Sequence, residues 1–489
     1  MHRVDRPTPI GFARVLGQRS ILLLLLLGSF ALRVVLAARR GQYYWPDEGR
    51  YTRAKLLLDH LSGGHFRLVL ELLTGAADHT GFSLLALPAA SAEAAATRWF
   101  HATIPVAASV AAAVLSLASV ASIGMVFPLA RKRGASQTEA LLAAALMASA
   151  TSMLYYSRHL LPYDSAMALA LLACLLGSAP ALWRAFLCGL CASLAFLTYN
   201  GYWVLGSTAV LLHLVWHRES IGRRTIRSVV TAAGFLLLPL ALNWLSTARG
   251  GSPYLQAMRE FSTLSRSQGD PAEGWFFPWQ YLWHAEHLFL LVWVAGLIAA
   301  VLMAREGLRK EARIWILAVL CIYSVLAFGS AGMGIFGIFG RLVRQMVPFL
   351  CLVTAAVHSA LQLAPLHNRL LALALALQFG FNIAPPLTQK FPVDVEQEVV
   401  QKYGSFRRDL TVTGPPFDDS PVDREGKVLL NAQNLYPVTG VKSPPNGKVL
   451  FSTRHPLQFL PYQYEGWTGE QRAFLRAADI TIRLIEESP

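Results

Sequence analysis

The chain is short of charge. Only 15% of its 489 residues are Asp, Glu, Lys or Arg, whereas soluble domains carry about 25%. Cysteine is also scarce, with five in all. Cys174, Cys188, Cys191, Cys321 and Cys351 each lie inside an apolar block, and none lies in a loop or in the C-terminal tail. That distribution excludes a disulfide-stapled outer domain. Cys188-Gly-Leu-Cys191 has the spacing of a redox motif, but a thiol in an apolar block has little access to a partner and reads as packing. Acidic residues number 29 against 43 basic ones, a net charge of +14. The excess does not describe a nucleic-acid partner. Many of the Arg and Lys residues sit in short loops between apolar blocks, where they orient a membrane protein and can meet phosphate headgroups.

Long apolar runs are abundant. Hydrophobic residues make up 54% of the chain. The run from Ile21 to Ala38 includes the consecutive leucines Leu22 to Leu27. A span needs roughly 20 apolar residues, because the lipid core is about 30 Å thick. By length, apolarity and breaker residues, about eleven spans are expected. They run near Ser20–Ala38, Ile104–Ala130, Glu139–Tyr156, Ser165–Trp183, Ala185–Tyr202, Trp203–Trp216, Ser228–Leu245, His287–Met303, Ala312–Ser330, Leu342–Leu361 and Leu370–Pro386. The fold class expected is therefore an all-α polytopic membrane protein over 1–388, followed by a small extracytoplasmic α/β domain over 389–489. Basic groups such as Arg131-Lys132-Arg133, Arg223-Arg224 and Arg309-Lys310 fall on one side if the N-terminus is cytoplasmic. The expected location is the inner (plasma) membrane, with the tail outside. The first apolar block is too long for a cleaved signal peptide and reads as a signal-anchor.

The first outer loop, 39–103, carries two amphipathic stretches. Ala54, Leu57, Leu58 and Leu61 follow i, i+3, i+4, i+7 spacing, as do Phe66, Val69, Leu70 and Leu73. Both read as helices in the membrane interface or as lids packed on the spans. In the tail, Val428–Asn431, Val449–Ser452 and Ile480–Ile485 read as strands and Thr468–Ala478 as a helix.

Three outer clusters carry chemistry. Tyr44-Trp45-Pro46-Asp47-Glu48 follows the first span. Asp47 and Glu48 read either as caps of the next helix, whose N-terminus favours carboxylates, or as a base or metal-facing pair at the membrane surface. Tyr155 through Asp164 fills a short loop. Arg158 there can bind phosphate bidentately, while Asp164 can cap the following span and His159 reads as an interfacial side chain. Gly340-Arg341-Leu342-Val343-Arg344 through Pro348 opens a late span. Arg341 and Arg344, spaced i, i+3, would share a helix face, either snorkelling to headgroups or clamping a lipid-linked phosphate. Gly332-Met-Gly334-Ile-Phe-Gly337 matches a dinucleotide fingerprint in letters only, since no strand–helix unit surrounds it.

The setting of Asp47-Glu48, followed by an amphipathic helix, resembles the GT-C glycosyltransferases. More closely it resembles the bacterial branch related to protein O-mannosyltransferases and to the aminoarabinose transferase acting on lipid A. Ser157-Arg158 through Asp164 resembles that branch's motif before its fourth span, and Gly340-Arg341 through Pro348 resembles the Arg-rich start of a late span. Asn431 through Pro437 resembles the outer domains of some members. The oligosaccharyltransferase Trp-Trp-Asp motif is absent, and Leu342 stands where an aromatic is usual. The resemblance implies an inverting transfer from a polyprenyl-phosphate sugar to a glycan, lipid or protein acceptor on the outer face. It implies Asp47 as base and Glu48 in support. Arg158 and Asp164 would lie at the donor phosphate or a divalent metal, and Arg341 and Arg344 at the lipid phosphate. Metal dependence varies in the family, which leaves Asp47 and Asp164 open as ligands. The competing class is a transporter or flippase of lipid-linked sugars. Transporters usually place ionisable groups at the midplane of repeated halves, and neither feature is visible here.

Overall fold

A leucine run is a strong helix former, and in lipid every backbone polar group must be paired internally. Both conditions are met by one unbroken helix, α1 (Phe12–Ala38). This computed structural model describes residues 12–39, 42, 48–75, 79–217, 219–266, 275–305, 307–334, 340–361 and 365–384, together with the backbone of five tail strands. On α1, Ile21, Leu23, Leu24 and Leu27 are exposed, whereas Leu36 and Ala37 are buried. The helix therefore turns most of its surface to lipid.

Four helices follow in the first loop: α2 (Gly49–Ser62), α3 (Phe66–Thr74), α4 (Thr80–Leu85) and α5 (Leu87–Phe100). The stripe on α2 buries Tyr51, Ala54 and Leu57 in a small core with Phe82, Ala86, Ala89 and Ala90. So α2 packs on its neighbours through this face, while Leu56 and Leu61 stay exposed. On α3, Phe66, Leu68 and Leu70 remain exposed and only Val69 and Thr74 are buried.

The remaining helices are α6 (Ile104–Lys132), α7 (Gln137–Ala148), α8 (Thr151–Tyr155), α9 (Tyr163–Gly177), α10 (Leu182–Thr198), α11 (Trp203–Trp216), α12 (Ile221–Ala248), α13 (Tyr254–Arg266), α14 (Phe277–Glu286), α15 (Leu288–Leu302), α16 (Arg313–Ala327), α17 (Gly340–Val343), α18 (Val347–Ala360) and α19 (Pro365–Gln378). Among the described residues, five helices are long and apolar enough to cross a membrane, or six if one bent pair counts as a span. Tyr163–Gly177, Leu182–Thr198 and Phe289–Leu302 are apolar but shorter. The protein is a multi-pass membrane protein.

The segment expected as one span over Glu139–Tyr156 is broken. It bends by 65° between α7 and α8, where Ala150 adopts extended backbone. The Glu286 carboxyl accepts the N–H groups of Thr151 (2.8 Å) and Ser152 (2.7 Å), replacing carbonyls that a continuous helix would supply. The next expected span, Ser165–Trp183, ends at Gly177; Trp183 already belongs to α10.

Small residues set the closest helix crossing. A side chain at Gly189 on α10 would run into the Thr231 carbonyl on α12, and one at Gly234 into the Phe186 carbonyl. In the tail, β1 (Arg407–Thr413), β4 (Lys448–Pro456) and β5 (Asp479–Glu486) form an antiparallel sheet of order β1-β5-β4, with a register shift between Val449 and Phe451. A second pair joins β2 (Leu430–Asn431) to β3 (Tyr436–Pro437). The helix expected over 468–478 lies outside the described residues, as do residues 335–337 of the Gly332–Gly337 motif.

Candidate active site

The bend after α7 turns the following residues into a tight cluster at one end of the bundle. Tyr156–Arg158 form a 3-10 turn, closed by Ser157 Oγ donating to the Leu154 carbonyl at 2.6 Å. Arg158 and His159 are buried. The first loop grips this turn at two points. Gln42 Nε2 donates to the carbonyls of Arg158 (2.8 Å) and Ala37 (3.0 Å), and Ser109 Oγ donates to Gln42 Oε1 at 3.2 Å. Glu48 Oε1 accepts the Leu160 N–H at 2.7 Å and lies 3.5 Å from His159 Nδ1. Glu48 is fully buried and makes no side-chain cap on α2, so capping does not account for it. Tyr43 through Asp47 lie outside the described residues.

Arg344 and Asp164 meet across 180 residues of sequence. Arg344 Nη2 donates to Asp164 Oδ1 and is 3.8 Å from Met153 Sδ. The guanidinium carbon sits 4.6 Å from the centre of the Tyr156 ring. Asp164 is in the first turn of α9, where a carboxylate is favoured, but its bonding partner is an arginine. Two more Arg344 nitrogens, Nε and Nη1, are buried without a hydrogen-bond partner among the described residues. Buried N–H groups left unpaired are rare and costly.

Arg341 goes elsewhere. Residues 344–346 form a 3-10 turn, so the helical i, i+3 face expected for the two arginines does not persist. Arg341 is half-buried, donates Nε to Tyr199 Oη at 2.6 Å, and lies 6.0 Å from the Tyr163 ring centre. Tyrosine rings connect the two arginines edge to face: Tyr156–Tyr163 at 5.3 Å, Tyr163–Tyr199 at 4.7 Å and Tyr199–Tyr202 at 5.3 Å. His79 packs its ring 5.0 Å from Tyr199 with a left-handed backbone (φ 57°). Gln345 joins α17 to α11: its Oε1 accepts the Leu205 N–H at 2.8 Å, and its Nε2 donates to the carbonyls of Gly201 and Leu342. Gly340 must be glycine, since a Cβ there would enter the Tyr281 ring. Tyr281 Oη in turn bonds Tyr156 Oη at 3.2 Å.

Thus Glu48, Arg158, Asp164, Arg341 and Arg344 are all built into one end of the bundle. Sequence reasoning missed Tyr199, Gln345, Gln42 and Glu286. Arg33 had a visible signal, an arginine inside an apolar span. It is buried and donates to Ser119 Oγ (3.0 Å), the Ser29 carbonyl (3.0 Å) and the Met153 carbonyl (3.3 Å). Among the described residues no group of three His, Cys, Asp or Glu side chains could hold a metal ion. Asp164, one of the two candidate metal ligands, is engaged by Arg344.

The helices and this cluster define a multi-pass membrane protein with buried arginines framed by tyrosines at one end. No protein-family model matches the chain, and no curated protein matches its sequence. Two crystal structures of ArnT from Cupriavidus metallidurans are similar to it. The apo structure has a TM-score of 0.48 and 15% identity, covering 76% of this chain and 65% of that one. The structure bound to undecaprenyl phosphate has a TM-score of 0.46 and 15% identity, covering 76% and 66%. The chain therefore spans slightly less than two thirds of the ArnT length.

Proposed function

We propose that the protein is a GT-C type glycosyltransferase that moves a sugar from a polyprenyl-phosphate donor to a glycan, lipid or protein acceptor on the extracytoplasmic face. The observation that carries this reading is the pair of Arg344 nitrogens without a partner among the described residues, inside a buried arginine–tyrosine cluster. An anionic oxygen such as a phosphate's is the natural partner for such donors. Asp47, one residue before the buried Glu48, takes the proton from the acceptor hydroxyl. The acceptor oxygen forms a bond to the anomeric carbon from one face, and the carbon–oxygen bond to phosphate breaks on the other, inverting the centre. The departing polyprenyl phosphate carries the charge, which Arg158, Arg341 and Arg344 stabilise. Asp164 orients Arg344, and Glu48 orients the loop that carries Asp47. A divalent metal held by Asp47 or Asp164 would make transfer sensitive to a chelator and restorable by added metal.

The finer architecture belongs to the same proposal. It comprises about eleven spans over 1–388, a cytoplasmic N-terminus, and an extracytoplasmic α/β domain over 389–489 in the inner membrane. A reporter fused after Pro489 should be active outside the cell membrane.

The decisive experiment supplies purified wild type and Asp47→Asn with polyprenyl-phosphate sugars and candidate acceptors. Transfer by the wild type should fall about 100-fold to 10,000-fold in the variant, the usual contribution of a general base. Equal transfer by both would remove Asp47 from the mechanism. Translocation of labelled lipid without transfer would favour a flippase.

A further inference from the structure

The break between α7 and α8 is held by side chains from distant parts of the chain. Glu286 ends α14 and is fully buried. Its Oε2 accepts Thr151 N–H at 2.8 Å and Gln378 Nε2 at 2.7 Å, and its Oε1 accepts Ser152 N–H at 2.7 Å. Gln378, from α19, also donates to the Ser149 carbonyl (3.1 Å) and to Thr151 Oγ1 (3.0 Å). Both loose ends of the break, the Ser149 carbonyl just past α7 and two N–H groups on α8, are thereby satisfied. On the other flank, the Met153 carbonyl accepts from Arg33 Nη2 and from Ser119 Oγ, each at 3.3 Å. A carboxyl group faces the N–H side of α8, and a guanidinium faces a carbonyl two residues on.

Packing alone does not call for this arrangement. A straight helix would satisfy its own backbone and need none of Glu286, Gln378 or Arg33. Buried charged groups are a poor source of net stability, and departures from regular backbone concentrate where function demands a geometry. The 65° turn brings Tyr156 against Arg344 (4.6 Å) and Tyr163 (5.3 Å). It also sets Arg158 under the first loop through Gln42.

We propose that Glu286 is a positioning residue. Its carboxyl group, opposed by Arg33, locks the α7–α8 break and so fixes where Tyr156 and Arg158 meet the donor phosphate. This inference rests on the donor reading above and adds a residue that touches no substrate.

The test measures three things on Glu286→Gln in detergent: hydrogen exchange of the Thr151–Arg158 amides, steady-state kinetics and equilibrium binding of polyprenyl phosphate alone. The expected result is at least tenfold faster exchange confined to that segment. Donor KM should rise about tenfold while kcat per folded molecule stays within threefold, because ground-state donor contacts are disturbed and the transfer chemistry is not. Glu286→Asp should recover part of the loss. Gln378→Leu, which removes one donor and keeps the carboxyl, should move both readouts the same way by less, and it stands in if Glu286→Gln does not fold. Faster exchange with an unchanged KM would overturn the positioning role, and so would unchanged exchange. A wild type that neither transfers sugar nor binds polyprenyl phosphate would overturn the donor reading instead, with the exchange rates still reporting on the lock.

Discussion

Arg227 and Arg344 are both fully buried arginines near the two ends of the helix bundle, and they are used in opposite ways. Every nitrogen of Arg227 is occupied. Nε donates to Glu219 Oε2 at 3.0 Å, Nη1 to the Ala179 carbonyl at 3.3 Å, and Nη2 to the Pro180 carbonyl at 2.6 Å and to Glu219 Oε1. It ties the turn before α10 to the start of α12, below the Gly189–Gly234 crossing. Among the described residues Arg344 has one carboxylate partner and two nitrogens left over. Arg33 belongs with Arg227, since each of its nitrogens donates to a neighbour. Burial alone therefore does not distinguish these arginines; what separates Arg344 from Arg33 and Arg227 is its unpaired donors among the described residues.

The strongest way to break that contrast is Arg344→Lys. The charge survives and the planar fork is lost. Transfer should fall about 100-fold or more, the usual cost of removing one preorganised donor, with little change in melting temperature. Arg227→Ala should do the reverse. It should cost about 3 kcal/mol of stability, the low end for breaking a buried pair, and leave kcat per folded molecule unchanged. If Arg227→Ala lost activity at unchanged stability, the distinction between used and unused donors would fail.

Two smaller tests sharpen it. Tyr199→Phe removes the acceptor of Arg341 Nε; losing a hydrogen bond to a charged group costs about 1.5 kcal/mol, so donor KM should rise roughly tenfold. The smallest effect is on acid stability. The Arg227 hydrogen bond holds the Glu219 carboxyl below its ordinary value of 4.5. A depressed folded-state value means that this stabilisation is present above the unfolded value and is lost as pH falls through the folded one. On acidification below about 4.5, wild type should lose melting temperature that Glu219→Gln does not.

Much of the helical layout was legible because apolar runs and breakers are local signals. The run Trp203–Trp216 is a helix with those bounds, and α2 and α3 follow the two amphipathic stretches of the first loop. The site residues on these elements were legible as polar groups at helix ends. Their partners were not. Arg344 finds Asp164, and Glu48 finds Leu160 and His159, across more than 100 residues. The bend at Ala150 has no proline or glycine to announce it; the carboxyl that accepts its freed N–H groups is Glu286, more than 130 residues later. The 3-10 turn at Arg344–Met346 separates two arginines that ideal helical spacing would pair. Asp47, read from the sequence as the base, lies outside the described residues.

Arg33 also bears on how the chain is made. It enters the bilayer with α1, before Ser119 and Met153, the later residues it bonds, have been synthesised. An arginine at the centre of a lone span costs about 2.5–3.5 kcal/mol on insertion, an upper bound for Arg33 near the end of α1, and each leucine returns about 0.3–0.6. The six leucines from Leu22 to Leu27 thus offset roughly 2–3.6 kcal/mol, close to the whole penalty. The run that makes α1 so apolar lets a nascent segment wait in the membrane with its cation held by the Ser29 carbonyl of the same helix until α6 and α8 arrive to complete its partners.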